Sequence, residues 1–549
     1  MSRICKSCET SFSVSQLYLN VVAKLGLPAP TLCIHCRQRR RLAYRNERRL
    51  YRRNCDLRGN SIVTAYSPDK PFTVYSPDAW WSEDWEPTRS GRDFDFTRPF
   101  FDQFVELRNS SPRLSLINTQ GQNSDYCHNT LSNKNCYLVF GGDFNQDCWY
   151  SILNMHCSDC SDLYWVNKSE LVYDSIDCHG CYNVRYAQSS DHCRDSDFLF
   201  ECRSCADCCG CVGLRSARFC FFNEQLSESD YRARVASLRL DTWSGVNAAR
   251  ERFERFKLSQ PHRHAHILSC EGSTGDHLSH LRDAVNCFSV EGPAETLEDC
   301  IYSGWDSSRE LVSCNNVGVR TELYYECAYC NNGTSCACCI YTWRSHDCAY
   351  CDTVMDSKNM FGCASMKRAE YCIFNQQYSR DEYTRLRARI VAHMKDTGEY
   401  GEFFPMGSSP WCYNETAAND FYPLTREQAN ARGLHWMDED LAPATADSTL
   451  PDSINDVGDD ILKRVLTCEL SGRRFKLIPP ELAFYRRHGI PLPRWAPETR
   501  DQRRLKMRTG LQTWKRKCAR CASPIETTYA PERPEIVYCE ECYHAHVQG

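Results

Sequence analysis

The chain has 549 residues, a formal net charge of -5 and 42% hydrophobic residues. That length holds three or more domains with sizeable cores, and the near balance of charge excludes a uniformly polybasic or polyacidic binder, leaving only local polarity to argue from. Thirty-eight cysteines are too many for an ordinary enzyme of a reducing compartment, so metals or disulfides must account for part of them.

The first element is a module written twice. Residues 5 to 82 recur at 468 to 545 without a gap at an offset of 463, pairing Phe12 with Phe475, Gly26 with Gly489, Pro28 with Pro491, Arg37 with Arg500 and Tyr75 with Tyr538. In the first copy Cys5, Cys8, Cys33 and Cys36 form two Cys-x-x-Cys knuckles, where the second copy has Cys468, Ser471, Ala496 and Thr499. The second half of the module reverses the loss: Cys518, Cys521, Cys539 and Cys542 are complete, against Cys55, Arg58, Ser76 and Ala79. Four thiolates from two knuckles supply the tetrahedral shell of structural Zn2+ and leave no position for a substrate water. At least two structural Zn2+ ions are therefore expected. Such small modules bury too little apolar surface to fold unaided, and metal binding can contribute on the order of 10 kcal/mol to each. A degenerate half is expected to find its stability by packing on its intact neighbour. The N-terminal module spans residues 1–90 and the C-terminal module 461–549.

Between the modules cysteines recur with a step of 21, as in Cys136, Cys157 and Cys178, and again in Cys330, Cys351 and Cys372. Short aromatic and aliphatic runs such as Cys136-Tyr-Leu-Val-Phe and Asp197-Phe-Leu-Phe lie between turn residues and read as strands. A fixed repeat of this length points to a parallel β-solenoid in which small inward residues, cysteine among them, stack in ladders. Gly210 through Gln225 matches Gly362 through Gln377 at an offset of 152, so the solenoid is read as two blocks, 91–225 and 268–377. Ser227 and Ser379 look like N-caps of helices that follow each block, giving a helical insertion at 226–267 and a helix with an extended cap at 378–436. Cys157, Cys160, Cys178 and Cys181 have the spacing of a further tetrad, but the ladder explains the step without an ion. The fold class expected is mainly β with α: a cysteine-rich parallel β-solenoid core with helical insertions, flanked by treble-clef or zinc-ribbon modules.

Residues 437–460 are acidic and carry Pro443 and Pro451, which predicts a flexible tether before the second module. The run Trp80-Trp81-Ser-Glu-Asp-Trp85 is too aromatic for a free loop and is expected to be buried on the solenoid. Pro261-His-Arg-His-Ala-His266 reads as a solvated loop. From Arg37 to Arg53 the chain carries nine arginines in 17 positions, and the equivalent segment of the second copy is also basic. Guanidinium forks pair with phosphates and stack on bases, which makes Arg40, Arg41, Arg48, Arg49, Arg503 and Arg504 candidate RNA or DNA contacts. The competing reading pairs the same arginines with acidic surface inside the protein.

The phrases Pro28-Ala-Pro-Thr-Leu-Cys33, Arg45-Asn-Glu-Arg, Tyr66-Ser-Pro-Asp-Lys-Pro, Gly91-Arg-Asp-Phe-Asp-Phe, Glu399-Tyr-Gly-Glu-Phe-Phe-Pro and Glu535-Ile-Val-Tyr-Cys run through nearly the whole chain. In these it resembles a cysteine-rich zinc-ribbon, or treble-clef, family common in ultra-small bacteria. In that family the half-module equivalent to 55–82 often keeps its second knuckles, from which Arg58, Ser76 and Ala79 depart. Some members carry a class III CoA-transferase label, but no nucleotide-binding turn or two-layer α/β pattern here supports it. The resemblance implies zinc and supplies no activity.

The opening Met1-Ser-Arg-Ile-Cys-Lys has no apolar run of signal-peptide type and no stretch approaches a membrane span, so the expectation is a cytoplasmic protein without membrane attachment. The leading functional reading is a non-catalytic zinc-binding scaffold that presents basic zinc modules to RNA, DNA or a protein partner. A solenoid-groove carbohydrate-active enzyme would need paired carboxylates, for which Asp143, Asp147 and Asp159 are the candidates, although aspartate in turns more often serves backbone geometry. A thiol- or metal-handling protein would need exposed, low-pKa thiols.

Overall fold

The structure is a computed structural model and describes residues 2–439, 441–443 and 449–548. It is mainly β with helices, organised around two ten-stranded sheets. The first runs from Tyr126–His128 to Glu224–Gln225 and the second from Ile267–Leu268 to Gln376–Gln377. All pairings in both are parallel except the last, a short antiparallel return in which Cys220 faces Gln225 and Cys372 faces Gln377. The helices Glu228–Ser237 and Arg380–Asp396 follow, capped by Ser227 and Ser379 as the sequence suggested. Both sheets thus end in the same kind of terminal turn followed by a helix.

The register corrects the expected step. Trp149 pairs with Ser161, Ser161 with Tyr173 and Asp197 with Cys209, so each strand repeats the one before it after 12 residues rather than 21. In the second sheet the offset varies at first, from Ile267 with Leu278 to Ala294 with Ser308, and settles at 12 from Glu322 with Thr334 onward. Both numbers are multiples of three, and three is the deeper period. Every third residue of the first block faces inward, as in Cys148, Ser151, Asn154, Cys157, Cys160 and Leu163, all of them buried. The residue before each inward one has a left-handed backbone, for example Asp147 (φ 51°), Tyr150 (φ 51°), Leu153 (φ 57°), His156 (φ 54°) and Asp159 (φ 50°). Cysteine occupies a subset of the inward stations, and spacings between members of that subset need only be multiples of three.

Hydrogen bonding explains which residues can stand inward. Two of the three N–H groups in a triplet bond to neighbouring strands: Lys134 N donates to Asn145 O at 2.9 Å and Asn135 N to Gln122 O at 2.9 Å. The third N–H, on the inward residue, finds a side chain 12 residues earlier: Ala187 N donates to Ser175 Oγ at 3.0 Å, Cys157 N to Asn145 Oδ1 at 3.0 Å and Val172 N to Cys160 Sγ at 3.4 Å. The same inward groups donate onward, Ser175 Oγ to Tyr173 O at 2.9 Å and Cys148 Sγ to Gln146 O at 3.3 Å. An inward serine, asparagine or cysteine thus satisfies buried backbone that would otherwise be orphaned. The described cysteines are free thiols, and most are buried.

Residues 91–115, grouped by sequence with the first block, pack on the second: Phe100 meets Tyr350, Phe361 and Phe374. The helix Trp243–Leu258 lies in the 226–267 insertion and packs on the first block, Phe253 against Phe198. Residues 440 and 444–448 of the expected tether lie outside the described residues. Those that follow are packed: Leu450, Ile454, Val457 and Ile461 are buried in one core cluster, and Ser244 Oγ donates to Asp452 at 2.5 Å. Trp80 and Trp85 are buried against Met355, as expected. Among the described residues no helix is long and apolar enough to cross a membrane.

Ser175→Ala should strand the Ala187 N–H in the core at a cost of about 1–3 kcal/mol, read as a lower denaturant midpoint beside the wild type. An unchanged midpoint would refute the bridging role of the inward hydroxyl.

Candidate metal centres and the surfaces that seat them

Both copies of the module fold alike. The helices Gln16–Lys24 and Ile34–Leu42 correspond to Pro479–His488 and Pro497–Met507, and the strand Tyr51–Asn54 to Trp514–Lys517, each starting 463 residues later. The first knuckle turn of each half-module closes the same way, intact or not. The residue after the second knuckle position is left-handed at Glu9 (φ 61°), Gly59 (φ 75°), Gly472 (φ 68°) and Ala522 (φ 60°). Its N–H returns to the first knuckle carbonyl, at 2.9 Å for Cys5, 2.7 Å for Cys55, 2.9 Å for Cys468 and 2.9 Å for Cys518.

The Sγ atoms of Cys5, Cys8, Cys33 and Cys36 all lie within 4.8 Å of one another, as do those of Cys518, Cys521, Cys539 and Cys542. Cys8 Sγ is 3.6 Å from Cys33 Sγ, and Cys521 Sγ 3.7 Å from Cys539 Sγ. Four sulfurs at about 2.3 Å from one centre sit about 3.8 Å apart, whereas a disulfide closes to about 2.05 Å, so the spacing fits a tetrahedral thiophilic ion. Within each tetrad the thiols are split: the hydrogen bond with Cys36 pushes Cys33 up and burial pushes Cys542 up to about 12, while one partner in each set is pulled down. The hydrogen bond with Cys33 pulls the Cys36 thiol down to about 4. Against the penalty of burial, the backbone N–H groups of Cys521, Cys539 and Arg520 hold Cys518 at about 6.

The degenerate sites keep the geometry with hydrogen bonds in place of an ion. Cys468 Sγ lies 3.4 Å from Thr499 Oγ1, which contacts Ser471 Oγ at 2.9 Å. In the first copy Cys55 Sγ accepts from Ser76 N at 3.3 Å and Arg58 N at 3.4 Å. Among the described residues the inner cysteines of the two blocks, Cys157, Cys160, Cys178 and Cys181 included, form no cluster of this kind.

The basic helices face inward. The N-terminal module docks on the second block, where Arg37 pairs with Asp299 at 2.6 Å and Arg41 with Glu326 at 3.2 Å. The C-terminal module docks on the first block through the equivalent residues: Arg500 pairs with Asp162 at 3.0 Å, and Arg504 with Asp162 at 2.9 Å and Asp174 at 3.1 Å. The six arginines expected to meet phosphate are all engaged within the protein. Arg40 pairs with Glu326 and Glu402, Arg41 with Glu326, Arg48 with Asp420 and Asp501, Arg49 with Glu439, and Arg503 and Arg504 with Asp174. Arg41 and Arg504 are fully buried. Arg503, Arg504 and Arg250 hold Asp174 down at about 2 against the cost of its burial.

A second polar site went unread in the sequence. A cavity of about 640 Å³ between the blocks and the C-terminal module is lined by His179, His192, His266, His277, His280 and His544, six of the chain's 16 histidines. His266, taken from sequence as part of a solvated loop, lies here: its Nδ1 is 3.1 Å from Asp276 Oδ1 and its Nε2 is 3.2 Å from Glu201 Oε1. Against the cost of burial these carboxylates raise His266 to about 10, while burial lowers His277. The histidines come from both blocks and the last helix, so no local spacing announces them; the tripeptide His264-Ala-His266 was the one visible hint. Compared with protein-family models and with curated proteins, the chain matches none.

Cys33→Ser and Cys539→Ser are each expected to lose one metal equivalent by elemental analysis, and Cys55→Ser and Cys468→Ser none. Full wild-type content in both of the first pair would remove the assignment. Asp174→Asn should cost about 3–5 kcal/mol by leaving buried guanidinium charge uncompensated and should expose the segment 461–549 to proteolysis first; equal resistance to wild type would refute the docking role.

Proposed function

We propose that the protein is a non-catalytic scaffold in which two structural Zn2+ ions staple duplicated treble-clef modules to a two-block parallel β-solenoid, and that it presents the outer faces of those modules to a protein partner. The solenoid reading is supported by the 12-residue register and the short links between parallel strands, such as residues 153–157 between Gln146–Ile152 and Ser158–Asn167. So short a link leaves no room for a crossover helix, and a chain that returns in parallel each time winds about an axis. Zinc is favoured for both tetrads because all-thiolate tetrahedral sets suit it and a closed shell offers no reactive position. The likeness to the zinc-ribbon family belongs to this same reading.

The orientation of the modules carries the choice of partner. Their arginines are turned into the core, while their outer knuckles and hairpins hold half of the large exposed apolar side chains among the described residues: Ile4, Val465, Leu470, Trp514 and Ile536. Exposed apolar groups ringed by polar surface suit a protein contact better than a phosphate backbone does. One observation favours nucleic acid as the second reading: the hairpin around Trp514 also exposes Lys515, Lys517 and Arg520, a stacking ring beside cations. An enzyme of the groove has less support, because Asp147 and Asp159 stand in left-handed positions 12 residues apart on one face, and Asp159 pairs with Arg487 at 2.6 Å.

Purification from the native host separates the readings. A polypeptide that stays bound in high salt and is lost in the Ile4→Asp/Leu470→Asp variant, with zinc content unchanged, is the expected result. Nucleic acid released steeply by salt, and retained by Arg48→Gln/Arg49→Gln but not by Lys515→Gln/Lys517→Gln, would replace it with the second reading.

A further inference from the structure

His266 and His277 line the inter-block cavity and, with Asp276 buried behind them, form a constellation that scaffolding does not need. His266, Asp276 and His277 each bring a ligand atom within 4.8 Å of the others, and the two imidazoles stack with centroids 4.6 Å apart and planes 13° from parallel. The Nε2 of each ring faces an outer carboxylate, Glu201 Oε1 at 3.2 Å for His266 and Asp177 Oδ2 at 3.8 Å for His277. A carboxylate on Nε2 is the usual partner that fixes an imidazole whose other nitrogen binds a metal. The separation of 3.1 Å between His266 Nδ1 and Asp276 Oδ1 is close to the edge of about 3.3 Å expected for nitrogen and oxygen ligands at about 2.0–2.1 Å from one tetrahedral ion. Asp276 is itself held in place on both oxygens, Oδ2 accepting from Thr528 Oγ1 at 2.7 Å and Oδ1 from the backbone N–H groups of His266 at 2.7 Å and His277 at 2.9 Å.

An independent observation points the same way. Glu201 is 4% exposed, with the Tyr543 hydroxyl as well as His266 beside its carboxylate, and Asp177 Oδ2 accepts from Arg508 Nε at 3.0 Å; the remaining oxygens, Glu201 Oε2 and Asp177 Oδ1, are buried at the cavity wall without a well-formed hydrogen bond. A buried carboxylate oxygen without a full hydrogen bond is costly, and a cation in the cavity relieves that cost.

We propose that the cavity binds a divalent transition-metal ion of the kind that takes imidazole and carboxylate ligands, Zn2+ or Co2+, through His266, His277 and Asp276, with Glu201 and Asp177 as the outer carboxylates. This differs from the two cysteine tetrads in every ligand, and in geometry: three protein ligands leave a fourth position open toward a cavity of about 640 Å³, where a water or a small anionic ligand fits. Arg203, Arg215 and Arg263 line the same cavity and suit an anion there.

The test uses full-length protein carrying its tightly held metal, titrated with Co2+ alone. A third equivalent is expected, with a ligand-field spectrum lacking thiolate charge-transfer bands, and His277→Ala and Glu201→Gln should weaken its binding at least tenfold while the two cysteine-held equivalents stay. Those two equivalents report that each variant has folded, and His192→Ala, on the wall away from the proposed ligands, should bind like wild type. No third equivalent in wild type, thiolate bands from the added ion, or undiminished binding in both His277→Ala and Glu201→Gln would each overturn the site and leave His266 as an ion-pair partner of Asp276 and Glu201.

Discussion

The protein depends on one constraint of its backbone. A chain that turns through a left-handed residue at every third position buries one amide N–H per triplet where no neighbouring strand can accept it. At many stations that group is met by a small side chain 12 residues earlier, which favours serine, asparagine and cysteine on much of the inward face, beside aliphatic stations such as Val139, Val172 and Leu199. Cysteine suits these stations because it is small and tolerates full burial, yet can still offer a weak S–H donor and a weak acceptor. In the middle Cys160 accepts an inward amide, while Cys148, Cys157, Cys178 and Cys202 donate to the carbonyl two residues before, so these thiols serve buried backbone and differ in kind from those of the termini.

The same triplet assigns the outer chemistry. Left-handed stations point away from the core, and they carry the carboxylates that seat the modules: Asp162 (φ 60°) and Asp174 (φ 47°) for the C-terminal copy, Asp299 (φ 57°) and Glu326 (φ 49°) for the N-terminal one. Aspartate and asparagine visit this backbone region more readily than most residues, so acidic stations there are cheap. Stacking successive strands aligns such stations into a column, and Asp162 above Asp174 becomes a two-carboxylate receiver for Arg504. Equivalent arginines of the duplicated modules meet equivalent columns of the duplicated blocks. Glu201 (φ 52°) and His277 (φ 54°) of the inter-block cavity stand on the same kind of station.

The modules were legible because their signals are local: Cys-x-x-Cys pairs and a gapless offset survive in the sequence wherever the fold puts them. The helix caps at Ser227 and Ser379 were readable for the same reason. The 12-residue register was present too, in Cys327, Cys339, Cys351 and Cys363, but cysteines fill the inward stations irregularly, and the steps of 21 and 12 are both sums of triplets. Partner choice across the fold left no such trace. Nothing near Arg40 or Arg503 indicates that Glu326 or Asp174 will be waiting, so a basic helix seated on acid reads like one that seeks phosphate. The histidine cavity is assembled from segments up to 365 positions apart, from His179 to His544, beyond the reach of any spacing rule.

The complementary loss of cysteines follows from what each final helix does. In the C-terminal copy Cys539 and Cys542 fix the helix Glu540–Val547, which turns His544 toward the inter-block cavity and pairs Glu540 with Arg263. Its counterpart in the N-terminal copy, Pro77–Trp81, has Trp80 and Trp81 where the other has Tyr543 and His544. Trp80 is fully buried against Trp85 and Met355, and Lys367 donates to its carbonyl at 2.8 Å. Tryptophan burial there supplies the stability that the missing knuckle no longer can, because so large an apolar surface anchors a short helix without an ion. The C-terminal helix, exposed along much of its length, buries the smaller Tyr543 at the position of Trp80, and the four sulfurs at its start add a second anchor to that one ring.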